Sequence, residues 1–368
     1  MSSRQKIAGK LGIFLSGCAL GALAVWAWSG EASPPGSTEN QLATADGVQV
    51  DVEPAGEAGI ESPATELLYP PPTRAGGTSP VRTSPVVTPL AAADSLAVLK
   101  KKPLYEFNEQ EVDAYLGHLF ETEPDPVKRL LHLARKNLGQ PYEIYLLGEF
   151  PYETHDPDPM YCLEKSDCVT FSEHTYAMAF SRGWGSFFRL LQRLRYKDGQ
   201  VGMLTRNHET ICDWNRNNAW LLEDVTRQLG GKSCTAMNVT WRPSRFFSQF
   251  NIGNNLPDVK VNEVYISRKN MAKTLGEFKD GDFVNVIRGS GSARWCGHVG
   301  IIAHSPKGDV HLIHSTTPAV REERLTEYMA RNRSALGFKF LRLRPDPQAV
   351  VDAEMGEGTP IAYSSRRP

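Results

Sequence analysis

The chain has 368 residues, with 41 basic and 42 acidic side chains and a formal net charge of −1. That balance gives no long-range attraction to a polyanion, so binding of nucleic acid through phosphate neutralisation is set aside. Six cysteines occur, Cys18, Cys162, Cys168, Cys212, Cys234 and Cys296, with no C-x-x-C pair. Neither a zinc ribbon nor a thioredoxin-type redox motif is written here, and spacing does not say whether the last five form a disulfide.

Arg4, Lys6 and Lys10 precede an uncharged apolar run, Leu11 to Trp28, that is eighteen residues long. Such a run just spans a bilayer, and its basic flank places the N-terminus in the cytoplasm and everything after Ser29 outside it. Residues 1–28 are therefore expected to be a membrane anchor or signal segment. A rival reading takes Leu15-Ser16-Gly17-Cys18 as a lipobox with Cys18 lipidated, but the apolar run continues from Ala19 to Trp28, which favours the anchor. Both readings export the remainder to a periplasmic or other extracytoplasmic part of the cell envelope.

Residues 29–103 are rich in Pro, Gly, Ser, Thr and Ala, with Tyr69-Pro70-Pro71-Pro72, Ser79-Pro80 and Ser84-Pro85. They cannot bury enough apolar surface to offset ordering entropy, so a disordered tether is expected. As flexible coil, the about 65 residues from Ser29 to about Asp94 reach roughly 45 Å, and prolines extend that.

The pattern turns globular over 104–345, one domain-sized unit. Val127 to Leu138 predicts a helix with Leu130, Leu131 and Ala134 on one face. A second helix starts near Asp167, since Val169, Tyr176, Ala177 and Phe180 fall at helical spacing, and Phe187, Leu190, Leu191 and Leu194 predict a third. Strands follow at Phe283–Ile287, Val299–Ala303, Val310–Ile313 and Lys339–Leu343. Helices first and strands later predict an α+β fold. Residues 346–368 turn polar and are expected to be a disordered tail.

Ser166 or Asp167 can cap the second helix, which puts Cys168 in its first turn, among unpaired backbone N–H groups and the positive dipole end. Both lower a thiol's pKa, and the same N–H groups can hold an oxyanion. The alternative is a small buried hydrophobe, the commoner fate of a cysteine. A cysteine nucleophile needs a histidine supplied by the fold. His298 opens the strand Gly297-His298-Val299-Gly300-Ile301, and Val310-His311-Leu312-Ile313-His314 reads as the returning strand. A hairpin centred on Pro306 sets His298 opposite His314, Gly300 opposite Leu312 and Ile302 opposite Val310, with both histidines on one face.

Leu138-Gly139-Gln140-Pro141-Tyr142, Asp167-Cys168-Val169-Thr170-Phe171, Gly281-Asp282-Phe283-Val284, His298-Val299-Gly300-Ile301 and His314-Ser315-Thr316 resemble, in order, the NlpC-type branch of papain-like cysteine hydrolases. The resemblance implies a papain-like (NlpC-type) fold, in which a helix-borne cysteine packs on an antiparallel sheet carrying the histidine pair. It implies Cys168 as nucleophile, His298 as general base, His314 as its orienter and Tyr142 at the oxyanion site, beside the helix-capping Asp167. Two departures stand out. The stretch from Tyr142 to Cys168 is longer than the family's usual short loop, and a large insertion runs from about Gly183 to Phe278. The insertion is similar to that of the bacterial N-acetylmuramoyl-L-alanine amidase-like branch.

Within it, Arg206, Asn207, His208 and Trp214 read either as a substrate-binding wall for a sugar and an acidic peptide stem or as a loop held by its own hydrogen bonds. Glu173 and His174 are expected to be solvated, and Cys296, with no helix start beside it, structural. The resemblance implies hydrolysis of the amide between N-acetylmuramic acid and L-alanine in peptidoglycan or muropeptides, with no cofactor and no metal. The alternatives are a γ-D-glutamyl-diamino acid endopeptidase and a non-catalytic wall-binding module. A zinc amidase would need ligands that no H-E-x-x-H motif supplies.

Overall fold

The structure is a computed structural model that describes residues 92–290 and 293–356. The expected anchor at 1–28 with Cys18, the tether as far as residue 91, and residues 357–368 of the tail lie outside the described residues. Among the described residues, no helix is long and apolar enough to cross a membrane.

Helices lead. They are α1 (Ala92–Lys101), α2 (Glu109–Thr122), α3 (Pro126–Lys136), α4 (Cys168–Ala179) and α5 (Trp184–Arg195). Local chemistry sets their starts. The Asn108 side chain accepts from the Glu111 N–H while the Glu111 carboxylate accepts from the Asn108 N–H, a reciprocal cap on α2. Asp125 caps α3 ahead of Pro126, whose missing N–H is no loss in a first turn.

The strands are β1 (Leu222–Asp224), β2 (Cys234–Trp241), β3 (Val259–Ser267), β4 (Phe283–Ser290), β5 (Ala293–His304), β6 (Val310–His314), β7 (Arg321–Arg324) and β8 (Gly337–Leu343). They form one antiparallel sheet in the order β2-β3-β8-β4-β5-β6-β7, with β1 also paired to β8. The fold is thus α+β, as expected. The insertion between α5 and β4 is part of this sheet, to which it contributes β1, β2 and β3.

Strand periodicity sorts the core into two faces. Phe283, Val299, Ile301, Ala303 and Ile313 pack with Leu130, Phe171, Tyr176 and Leu190 of the helices. Val284, Val286, Ile302 and Leu312 point the other way, against Leu325 and Tyr328 of α6 (Leu325–Arg331). A third cluster joins Val239, Trp241, Val261 and Phe246 to Ile287.

Two boundaries are corrected. Residues 92–101, expected in the tether, are helical, and Leu99 is buried in the core while the Lys136 ammonium donates to the carbonyls of Leu99, Lys100 and Lys102 at 2.7–3.2 Å. A cation on the last carbonyls of a helix is a favourable C-terminal partner. In the expected tail, Pro347–Met355 forms α7, with Asp346 capping it and Val351 buried. A helix of nine or ten residues spans fewer than three turns, so its periodicity leaves a weak signal in sequence.

The hairpin register is corrected as well. β5 and β6 pair Ile301 with Ile313, Ile302 with Leu312 and His304 with Val310, two residues away from the expected pairing. The turn is centred on Lys307: the Gly308 N–H donates to Ser305 and the Ser305 N–H to Asp309. Pro306 takes the first corner, and Gly308 supplies the left-handed residue, φ 85°, that closes it. A shift of two preserves side-chain parity, so His298 and His314 still share a face.

Candidate active site

Asp167 caps α4 by accepting from the Thr170 N–H at 2.7 Å, which fixes Cys168 as the first helical residue. Cys168 is half-buried against the helix-side core. The segment ahead of it is tied to the end of β6. The Ser315 hydroxyl donates to the Ser166 carbonyl at 2.8 Å, and the Ser166 hydroxyl lies 3.0 Å from Ser315 Oγ and 2.7 Å from Gln140 Oε1. Both serines are buried. The clamp therefore links the residue two before Cys168 to the residue after His314.

His298 and His314 meet. Their Nε2 and Nδ1 atoms are 2.7 Å apart, both rings are buried, and the planes cross at 83°. Tyr328 flanks both, its ring centroid 6.1 Å from His298 and 5.3 Å from His314. On its far side His314 Nε2 lies 2.9 Å from Glu323 Oε1. Burial, then the charges of His314, Arg288 and Arg321, holds His298 well below the usual imidazole range. Burial also lowers His314, although Glu323 pulls the other way. Glu323 is itself partly buried, which alone would raise its carboxyl, but hydrogen bonds from His314 and Arg331 and the charges of His314 and Arg321 outweigh this and bring it down to about 2. The result is two neutral imidazoles in series, backed by a fixed carboxylate.

Tyr142 is half-buried and forms an isolated bridge with Ser166, its N–H donating to the Pro318 carbonyl at 2.9 Å, so it stays near the start of α4 despite the long stretch that follows it. In that stretch Tyr145 takes a left-handed backbone, φ 59°, uncommon without glycine, and burial with the Asp167 charge raises its phenol.

Of the four insertion residues, Arg206 and Trp214 are buried and Asn207 and His208 half-buried, and their contacts are those of a loop held by its own hydrogen bonds. Trp214 is buried, stacks on Phe283 at 4.5 Å and donates its indole N–H to Glu173. Arg206 donates to the Leu147 carbonyl and pairs with Asp156 and Glu149. Asn207 donates to the Leu194 carbonyl. His208 lies 2.8 Å from the Met203 carbonyl, packed between Trp241, Phe246 and Phe247.

Glu173 and His174 are likewise buried, not solvated, because α4 is covered on almost every side. His174 Nδ1 lies 2.8 Å from the Thr170 carbonyl, and burial pushes its pKa down to about 3. Cys296 sits with its thiol on the His298 carbonyl at 3.2 Å, and burial pushes its pKa up to about 12, so it is kept as a thiol. Glu323 and Tyr328 went unseen in sequence. β7 reads Arg-Glu-Glu-Arg and has no apolar alternation to reveal a strand.

A family model described as AmiA-like, N-acetylmuramoyl-L-alanine amidase-like, matches residues 132–337. No curated protein matches the chain. Among solved structures, a Legionella pneumophila protein is similar with a TM-score of 0.58 and 18% identity, over 68% of this chain and 97% of that one. An N-acetylmuramoyl-L-alanine amidase from Bacteroides uniformis is 21% identical with a TM-score of 0.49, over 60% of this chain and 99% of that one. A putative xylanase from Bacteroides fragilis is 24% identical with a TM-score of 0.47, over 57% and 98%.

Proposed function

Because the chain belongs to the AmiA-like, N-acetylmuramoyl-L-alanine amidase-like family, we propose that it is a papain-like (NlpC-type) cysteine amidase that cleaves the bond between the lactyl carbonyl of N-acetylmuramic acid and L-alanine. The observation that carries this reading is the buried His298–His314 contact on strands clamped, through Ser315 and Ser166, to the start of the helix bearing Cys168.

In this mechanism His298 takes the Cys168 proton and the sulfur attacks the amide carbonyl carbon. Backbone N–H groups in the first turn of α4, with Tyr142, stabilise the oxyanion. The tetrahedral species collapses as the C–N bond breaks, and His298 gives its proton to the leaving amine. Water, deprotonated by His298, then hydrolyses the thioester and returns the thiol. Asp167 acts through the cap that fixes Cys168. The apolar run at residues 11–28 supports a place in the cell envelope, tethered to a membrane, where this substrate lies.

The test is digestion of purified muropeptides by the full chain, with products identified by mass spectrometry. Free stem peptide is expected, and Cys168→Ala should lower turnover on the order of a thousandfold or more. Turnover unchanged by Cys168→Ala would sink the mechanism. A dipeptide left on the sugar would make the protein an endopeptidase, chelator-sensitive activity would point to zinc, and no turnover would leave a wall-binding module.

A further inference from the structure

Each neutral imidazole carries one proton on two nitrogens, and a carboxylate can only accept. Glu323 Oε1 lies 2.9 Å from His314 Nε2, so that nitrogen holds the proton of His314 and its Nδ1 is bare. His298 Nε2, 2.7 Å from that bare nitrogen, must then be the donor. The proton of His298 is thereby placed on Nε2, which leaves Nδ1 as the ring nitrogen able to take a proton. We propose that Glu323 is a positioning residue, which fixes the tautomers of His314 and His298 in turn so that His298 presents Nδ1 as the base for the Cys168 thiol. The inference rests on the mechanism proposed above.

The carboxylate is built for this task. Glu323 lies on β7 directly across from Leu312, two residues before His314 on β6, which sets it diagonal to that imidazole on the shared face. Its side chain is 9% exposed and that of His314 is 0% exposed, so water does not compete for the His314 N–H. Arg321 Nε donates to Oε1 at 3.1 Å and Arg331, from the end of α6, pairs with Oε2. Tyr328, on the same helix as Arg331, flanks both rings. The charged groups around the relay are thus Arg321, Arg331 and, on the His298 side, Arg288. If Glu323 served only to neutralise Arg321 and Arg331, the tautomers would not depend on it.

Long-range proton–nitrogen spectra of the full chain labelled at histidine nitrogens read the tautomers directly, whatever the substrate. Wild type should show both rings protonated at Nε2, and Glu323→Ala should mix the tautomers of both. On muropeptides, Glu323→Ala should lower kcat by about ten- to a hundredfold with KM little changed. Glu323→Gln keeps an oxygen acceptor and should recover part of that loss. It removes the charge that stabilises an imidazolium, so the acid limb of its kcat/KM profile, where His298 gains a proton, should move to lower pH.

A wild-type spectrum with His314 protonated at Nδ1 would overturn the proposal. So would variants that keep the wild-type kcat and pH profile. Should Glu323→Ala fail to fold, the wild-type spectrum and Glu323→Gln still decide. Failure of the amidase reading shows separately, as an inactive wild type or an active Cys168→Ala, with the tautomer result intact.

Discussion

Glu173 shows what a carboxylate does when its surroundings are made for the neutral form. It is buried in the middle of α4, with the Trp214 indole donating at 2.8 Å and Arg195 3.8 Å away. Burial outweighs both and raises its pKa to about 7. A folded pKa above the unfolded value means that the native state binds the extra proton. The associated stability is complete below the unfolded pKa, about 4.5, and is lost as pH rises through about 7. Glu173→Gln removes this titration and keeps an acceptor for Trp214, so the variant should gain on wild type between those limits. Melting temperatures across that range, level with wild type throughout, would contradict the assignment. Gly300 is a second case. A Cβ there would lie 2.7 Å from Leu312 Cδ1, 3.1 Å from His314 Cβ and 3.1 Å from the Ile313 carbonyl oxygen. Gly300→Ala requires the Leu312 side chain to move and the strand that carries His314 to give by a few tenths of an ångström. A cost of about 1–3 kcal/mol is expected, together with a fall in kcat, and calorimetry beside turnover measures both.

At the level of elements, legibility followed burial pattern. α3, α4 and α5 alternate apolar and polar residues at helical spacing, or open on a capping aspartate, and each was foreseen to within a few residues. The strands β4, β5, β6 and β8 have apolar cores and were also foreseen, if shorter than they are. Cys168, His298 and His314 came from those same segments, which is why they could be named. What lay outside them was hidden for physical reasons. β7 sits at the sheet edge with four charged residues, so Glu323 had no pattern to announce it. Arg206 and Trp214 look like surface recognition groups in sequence, and only their partners, Asp156 and Glu173, reveal that their polar atoms are satisfied inside. The bulge in β5 was also silent. Val286 pairs with His298 but Ile287 pairs with Cys296, so Gly297 is an extra residue that turns Cys296 to the other face from the imidazole.

At the scale of the whole molecule, the last of the described helices, α7, is built into the globular part. Arg129 is buried in α3 and donates to the carbonyls of Ala179, Glu123 and Pro124 and to the Gln348 side chain of α7. Gln348 Nε2 also donates to the Phe180 carbonyl, and Arg193 pairs with Glu354. A chain ending at residue 345 loses the burial of Val351 and leaves the Arg129 guanidinium short of a partner. Its melting temperature should fall by about 5 °C or more; an unchanged transition would show that α7 contributes nothing. The strand order has a consequence in time. β8 is the last of the described strands to be synthesised, yet it lies between β3 and β4 in the sheet. Until residues 337–343 emerge, the hairpin of β2 and β3 and the ladder from β4 to β7 are two separate pieces, each with an unsatisfied edge facing a gap. The growing chain must hold both edges open, and the final strand closes them together. Assembly of the sheet therefore waits for residues 337–343, and the histidine pair acquires its rigid backing only then.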